Sequence, residues 1–125
     1  MIGRSIITGA TALALCASAA IAAVPAWMEP AFGNTVVTTY PSGKSTKLWI
    51  DRSGGFELLR STGKRHYGRW TVKGERICFK QTKPIALPIS HCQARIAGGI
   101  GSRWPGKSIG GESVTNVLVA GQAGR

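Results

Sequence analysis

Turn signals punctuate this chain at a near-constant interval, and that spacing constrains the fold more than any other feature. Pro41-Ser42-Gly43, Ser53-Gly54-Gly55, Ser61-Thr62-Gly63 and Lys73-Gly74-Glu75 place glycines about ten residues apart, the rhythm of short strands joined by tight hairpins. The intervening segments are β-prone: TVVTTY from Thr35 to Tyr40, TKLWI from Thr46 to Ile50, FELLR from Phe56 to Arg60, HYGRWTVK from His66 to Lys73, and RICFKQ from Arg76 to Gln81. Alternation is clearest in the fourth and fifth. Gly68, Trp70 and Val72 fall on one face, Tyr67, Arg69, Thr71 and Lys73 on the other, and Ile77 and Phe79 oppose Cys78 and Lys80. An apolar face backed by a basic one is the pattern of a half-buried antiparallel sheet. Val114 to Ala120 reads as a last strand, and no segment after residue 28 sustains helical apolar spacing with caps. The expected fold is all-β: a small antiparallel meander or barrel of six to eight short strands over residues 35–120. An open sheet wrapped by its loops is the alternative. Residues 98–111 are rich in glycine and fit either a flexible loop or a bulged β-edge. Residues 121–125 read as a flexible tail.

Residues 1–23, MIGRSIITGATALALCASAAIAA, combine a single basic residue (Arg4), an apolar middle and the small–x–small exit Ala20-Ile21-Ala22. Those are the three parts of a secretory signal peptide, helical in its apolar run. The competing readings are an uncleaved membrane anchor and a lipoprotein attached through Cys16. Cleavage places the mature chain in the periplasm or outside the cell, with no membrane span of its own, and residues 24–34 then form an N-terminal linker. About 100 residues remain, near the lower range for a comfortably stable core. Cys78 and Cys92 remain as an even pair with thirteen residues between them. In an oxidising compartment they are expected to form a disulfide, worth roughly 3 kcal/mol by closing that loop. A zinc site would need His66 and His91 as further ligands, at a spacing that fits no zinc pattern. No metal or other cofactor is expected.

The chain is strongly basic, with 16 Lys+Arg against 5 Asp+Glu and a formal charge of +11. Only 17% of residues are charged, so the imbalance reflects missing acids. The 43% apolar content excludes a disordered polybasic tail. Eleven cations and three acids lie between Lys44 and Lys83. Arg60, Lys64, Arg65 and Arg69 gather about one expected hairpin, and Lys73, Arg76 and Lys80 along the next. These seven are the candidate anion-binding residues. Such a face attracts anionic polymers of the cell envelope. Nucleic acid is not the expected partner: aromatic interleaving with Tyr67 and Trp70 is faint, and alternation turns Trp70 away from Arg69. A solvated basic face without a specific partner is the competing reading. Trp104, in the glycine-rich stretch, is the candidate exposed aromatic contact.

Catalytic inventory is thin, and no catalytic residue is assigned. A small cationic nuclease would pair His66 with Glu57 or Glu75 to move protons, beside Arg65 and Arg69 to hold phosphate. Gly101 to Ser108 matches the phosphate-binding pattern G-x-x-x-x-G-K-S. That chemistry requires a preceding strand, a following helix and an acidic metal ligand, whereas Ile109-Gly110-Gly111 follows and the chain's one Asp is Asp51.

Tyr40 to Cys92 carries a Y-P-x-G turn (Tyr40, Pro41, Gly43), a W-x-D element (Trp49, Asp51) and G-x-W-x-V-x-G with a following Cys (Gly68, Trp70, Val72, Gly74, Cys78). This half of the mature chain resembles a group of small exported proteobacterial β-domain proteins. The resemblance implies a periplasmic β-domain with one disulfide and transfers no catalytic position. More loosely, the chain is similar to exported β-barrel inhibitors of proteases and lysozymes. The expected function is that of a non-enzymatic exported domain binding an anionic envelope component or a protein partner. The alternative is an inhibitor-like or accessory protein using the Lys83–Ser90 loop.

Overall fold

The computed structural model describes Gly3, Gly9 and residues 24–125. The expected signal peptide, with its expected helix, otherwise lies outside the described residues. After a 3-10 helix at Ala26–Ala31 come eight strands: β1 (Thr35–Thr39), β2 (Ser45–Ile50), β3 (Gly55–Leu59), β4 (Arg65–Lys73), β5 (Arg76–Lys83), β6 (His91–Ala94), β7 (Arg103–Lys107) and β8 (Ser113–Val119). All pair antiparallel in one sheet of order β6-β5-β4-β3-β2-β1-β8-β7. Each strand therefore pairs with its sequence neighbours except β6 with β7, and β8 returns to β1 through the register Thr35↔Val119 to Thr39↔Thr115. The result is a nearly closed up-and-down barrel with one seam, between β6 and β7. His91 Nε2–H reaches across that seam to the Lys107 carbonyl at 3.3 Å. Pro105 sits on β7, where its missing N–H costs nothing because that strand has a ladder on one side only.

Period-two alternation sorts the side chains. Val36, Ile50, Ile77, Trp104 and Leu118 point inward and join Met28, Ala31 and Ile96 in one buried cluster. The segment expected as a linker thus supplies core: its 3-10 helix inserts Met28 and Ala31 into the end of the barrel where β2, β4 and β8 finish. Gly68 faces inward opposite Phe56. A Cβ there would collide with the Lys80 carbonyl and come within 2.6 Å of the Phe56 ring. Absence of a side chain lets Phe56 stand edge-on to Phe79, with ring centroids 5.2 Å apart.

Of the two forms open to the glycine-rich stretch, the fold takes the β-edge: it contains β7, so the phosphate-loop look-alike is a strand between two turns, with β8 and not a helix after it. The segment read as a flexible tail departs from that expectation. The terminal pentapeptide is tied to the barrel wall. Gly121 N–H donates to Asn34 Oδ1, Lys47 Nζ to the Ala123 carbonyl, and Arg65 to the Gly124 carbonyl. Arg125 forms a two-pronged pair with Asp51 (2.8 and 2.7 Å) and donates through Nε to Glu57.

These hydrogen bonds from Arg125 hold the Asp51 carboxyl below its usual range. A depressed carboxylate contributes stability above its unfolded pKa and loses it as pH falls through the folded one. The tail contacts should therefore be intact at neutral pH and weaken in acid, from roughly pH 4 downward. Arg125 side-chain N–H resonances followed by NMR should show this loss, and Asp51→Asn should reduce the pH dependence while the Glu57 contact remains. An unchanged acid profile in that variant would assign the transition elsewhere.

Candidate anion-binding wall

The fold separates the cations into two classes. Among the described residues four arginines pair with four of the five acids: Arg52 with Glu29, Arg65 with Glu57, Arg95 with Glu75, and Arg125 with both Asp51 and Glu57. Among the described residues no lysine pairs with a carboxylate. Arg65 accordingly drops out of the expected anion-binding set, because its guanidinium is committed to Glu57 and the tail.

The remaining expected residues come together on the outer wall formed by β4 and β5 and on the turn leading into it. Register places Arg69 directly opposite Lys80, and Lys73 directly opposite Arg76. The pair Thr71–Cys78 lies between these rows. Rows on one face recur every second residue, roughly 7 Å apart. Past a bulge between Tyr67 and Gly68, Tyr67 faces Lys83, and Arg60 and Lys64 project from the turn that joins β3 to β4. Arg69 and Arg76 are partly steadied by the carbonyls of Ser53 and Cys92, each at 3.3 Å, which carry no neutralising charge. Like charges directly opposite one another destabilise a ladder. This wall holds two such rows without an interleaved acid.

Lys80→Glu should therefore have opposite effects on two measurements. It converts the Arg69–Lys80 row into an attractive pair, raising stability by about 0.5 kcal/mol. It also reverses a charge at the centre of the wall, weakening polyanion binding. Urea unfolding and a binding titration on the same variant test this, and a gain in both or a loss in both contradicts it.

Other expected site residues are placed elsewhere. Trp104 is not an exposed contact: it points into the barrel from β7 and is 8% exposed. Its strand alternates Trp104, Gly106 and Ser108 inward against Arg103, Pro105 and Lys107 outward, a signal readable in the sequence once residues 103–107 are taken as a strand. His66 and Glu57 are not brought together. Glu57 is opposite Tyr67 on the outer face, while His66 is opposite Leu58 on the inner one. Glu75 lies in the β4–β5 turn, at the far end of β4 from His66. His66 instead hydrogen-bonds Gln81 Oε1 at 2.7 Å through Nδ1, and Gln81 Nε2 donates to the Ile85 carbonyl. Cys78 and Cys92 form the disulfide, as directly opposed partners on β5 and β6.

A second feature was not legible from motifs. The barrel encloses a cavity of about 120 Å³ lined by inward residues including Leu48, Leu58, Phe79, Trp104 and Val114. It opens past Tyr40, His91 and Ser108.

Comparison with protein-family models, curated proteins and solved structures finds no match, so function has to be read from geometry and charge.

Proposed function

We propose that this chain is an exported, non-enzymatic β-barrel domain that binds an anionic polymer of the cell envelope through the outer wall of β4 and β5. The observation that carries this reading is the pair of like-charge rows, Arg69–Lys80 and Lys73–Arg76, directly opposed in register with no acid between them. The fold places carboxylates beside Arg52, Arg65, Arg95 and Arg125, and the acid nearest this wall, Glu75 in the β4–β5 turn, is paired with Arg95. A polymer with repeated negative charges offsets the repulsion within each row and gains from releasing its own counterions. Lys83, Arg60 and Lys64 extend the track toward one end of the barrel. The separation of Glu57 and Glu75 from His66 supports a binding role over nucleolytic proton transfer.

Titration of the full chain with lipopolysaccharide and with an acidic polysaccharide tests the proposal. Affinity should fall by roughly one to three decades between low and physiological salt. Salt-independent binding, or none to either polymer, overturns it.

A further inference from the structure

We infer that the barrel mouth is a second binding site, for an anionic amphiphile, one acyl chain of which enters the cavity while the head stays at the rim. The site borders the β4–β5 wall and shares Arg60, Lys64 and Lys83 with its outer end, but its cavity and apolar rim do not depend on the function proposed for that wall. Three observations converge on it.

The first is the interior. Its lining is mostly apolar, interrupted by Gln93 and by Thr38, whose Oγ1 donates to Asn116 Oδ1 at 2.6 Å, and Tyr40, Thr46, His91 and Ser108 stand at the strand ends of the rim. At about 120 Å³ the cavity is similar in size to protein cavities that admit a small hydrocarbon. It therefore accommodates the end of a chain and leaves the rest of the ligand at the mouth.

The second is the rim. Strand alternation sends the β1–β2, β3–β4, β5–β6 and β7–β8 connections to the same end, opposite the one plugged by Met28 and Ala31. There Ile85, Ile89 and Ile109 are 69%, 71% and 76% exposed, with Leu87 at 38%. Ile109 also lines the cavity, so its side chain belongs to both the interior and the surface. The β5–β6 loop is held in place, for Gln81 donates to the Ile85 carbonyl and accepts from the Leu87 N–H. Exposed aliphatic side chains beside an apolar opening favour an acyl chain over a wholly polar ligand.

The third is charge. Lys44, Arg60, Lys64, Lys83 and Lys107 occupy the connections and strand ends at this rim, against one acid, Glu112. Lys44 is coupled to the mouth directly, its carbonyl accepting from the Tyr40 N–H at 2.9 Å. A carboxylate or phosphate head is selected over a neutral or cationic one. The shared chemistry is an acyl chain bearing an anionic head, whether free in solution or presented by a membrane.

Trp104 in the lining provides the readout. Dodecanoate brominated at its far end, added below its micellar concentration to the full chain, should quench tryptophan emission saturably, and Trp104→Phe should remove most of that quenching. Val114→Phe, which fills the cavity, and Ile109→Asp, an exposed change that leaves the core intact, should each weaken binding by about ten-fold. A neutral-headed chain of equal length should bind more weakly, and Lys44→Glu should narrow that difference. Vesicles of an anionic phospholipid brominated along its chains separate the sources: quenching by free dodecanoate alone assigns a soluble ligand, and quenching by vesicles assigns a membrane one. Lys80→Glu should leave the quenching unchanged while weakening polymer binding, so failure of either site is visible separately. No quenching from either source, or quenching indifferent to both Val114→Phe and Ile109→Asp, overturns the inference. Binding to vesicles without quenching, or capture of a protein by the rim without amphiphile binding, overturns it equally.

Discussion

Trp49→Ala is expected to cost about 3–5 kcal/mol, a large part of the roughly 5–15 kcal/mol that stabilises a domain of this size. The reason lies in an inversion of the usual barrel pattern. Trp49 is on the outward face of β2, opposite Glu57, yet it is completely buried. The terminal pentapeptide and two arginines cover it. Arg65 and Arg125 hold their guanidinium carbons 5.8 and 5.9 Å from its ring centre, both within cation–π range. Its indole N–H donates to Thr35 Oγ1 at 2.9 Å, and that hydroxyl donates onward to the Gly121 carbonyl at 2.7 Å. Removing the indole thus opens a large void, unseats both arginines and leaves the tail over a hole. Trp49→Phe separates these contributions: it keeps most of the packing and loses the Thr35 link, so about 1 kcal/mol is expected. Urea unfolding followed by far-UV circular dichroism measures both. A cost below about 1 kcal/mol for Trp49→Ala means that the tail does not function as a structural cover.

The sequence displays some of this design and conceals the rest, for physical reasons. The wall was legible because β4 and β5 follow one another and alternate strictly, so Arg69, Lys73, Arg76 and Lys80 could be assigned to one face without knowing the barrel. The turn at Gly74 was legible too, since the backbone there has a φ of +59° that glycine accepts at little cost. Gly68 was visible as a motif position, but its purpose depends on Phe56 and Lys80 from neighbouring strands. The tail was concealed because Arg125 meets Asp51 and Glu57 only when β8 pairs with β1, across sequence separations of 74 and 68 residues. Trp104 misled because glycines and a proline around it mimic a loop, whereas an edge strand at a barrel seam tolerates both. The cavity has no local signature at all. It is the space left where β1, β2, β3, β5, β6, β7 and β8 each contribute ordinary inward residues.

Replacing Cys78 and Cys92 together by Ser should cost about 3 kcal/mol and lower the melting temperature by on the order of 15 °C. The local consequence is more informative than the global one. The crosslink fastens β6, a four-residue strand whose ladder is with β5 alone. On its other side is the seam, which the His91–Lys107 hydrogen bond spans. Without the crosslink, β6 amides should exchange with solvent well before those of β1 to β4, as expected for the least supported element of a domain. His91, Gln93 and Ala94 also line the cavity, so loosening β6 should weaken quenching by brominated dodecanoate at temperatures where the barrel is still folded. The basic wall should respond differently. β5 keeps its long register with β4, and Arg69, Lys73, Arg76 and Lys80 keep their rows. Polymer affinity in the double variant should therefore remain close to that of the parent while amphiphile affinity falls. Joint loss of both below the melting transition would show that the seam supports the whole sheet, and retention of both would show that β6 is held by the core through Ile96 and not by the disulfide.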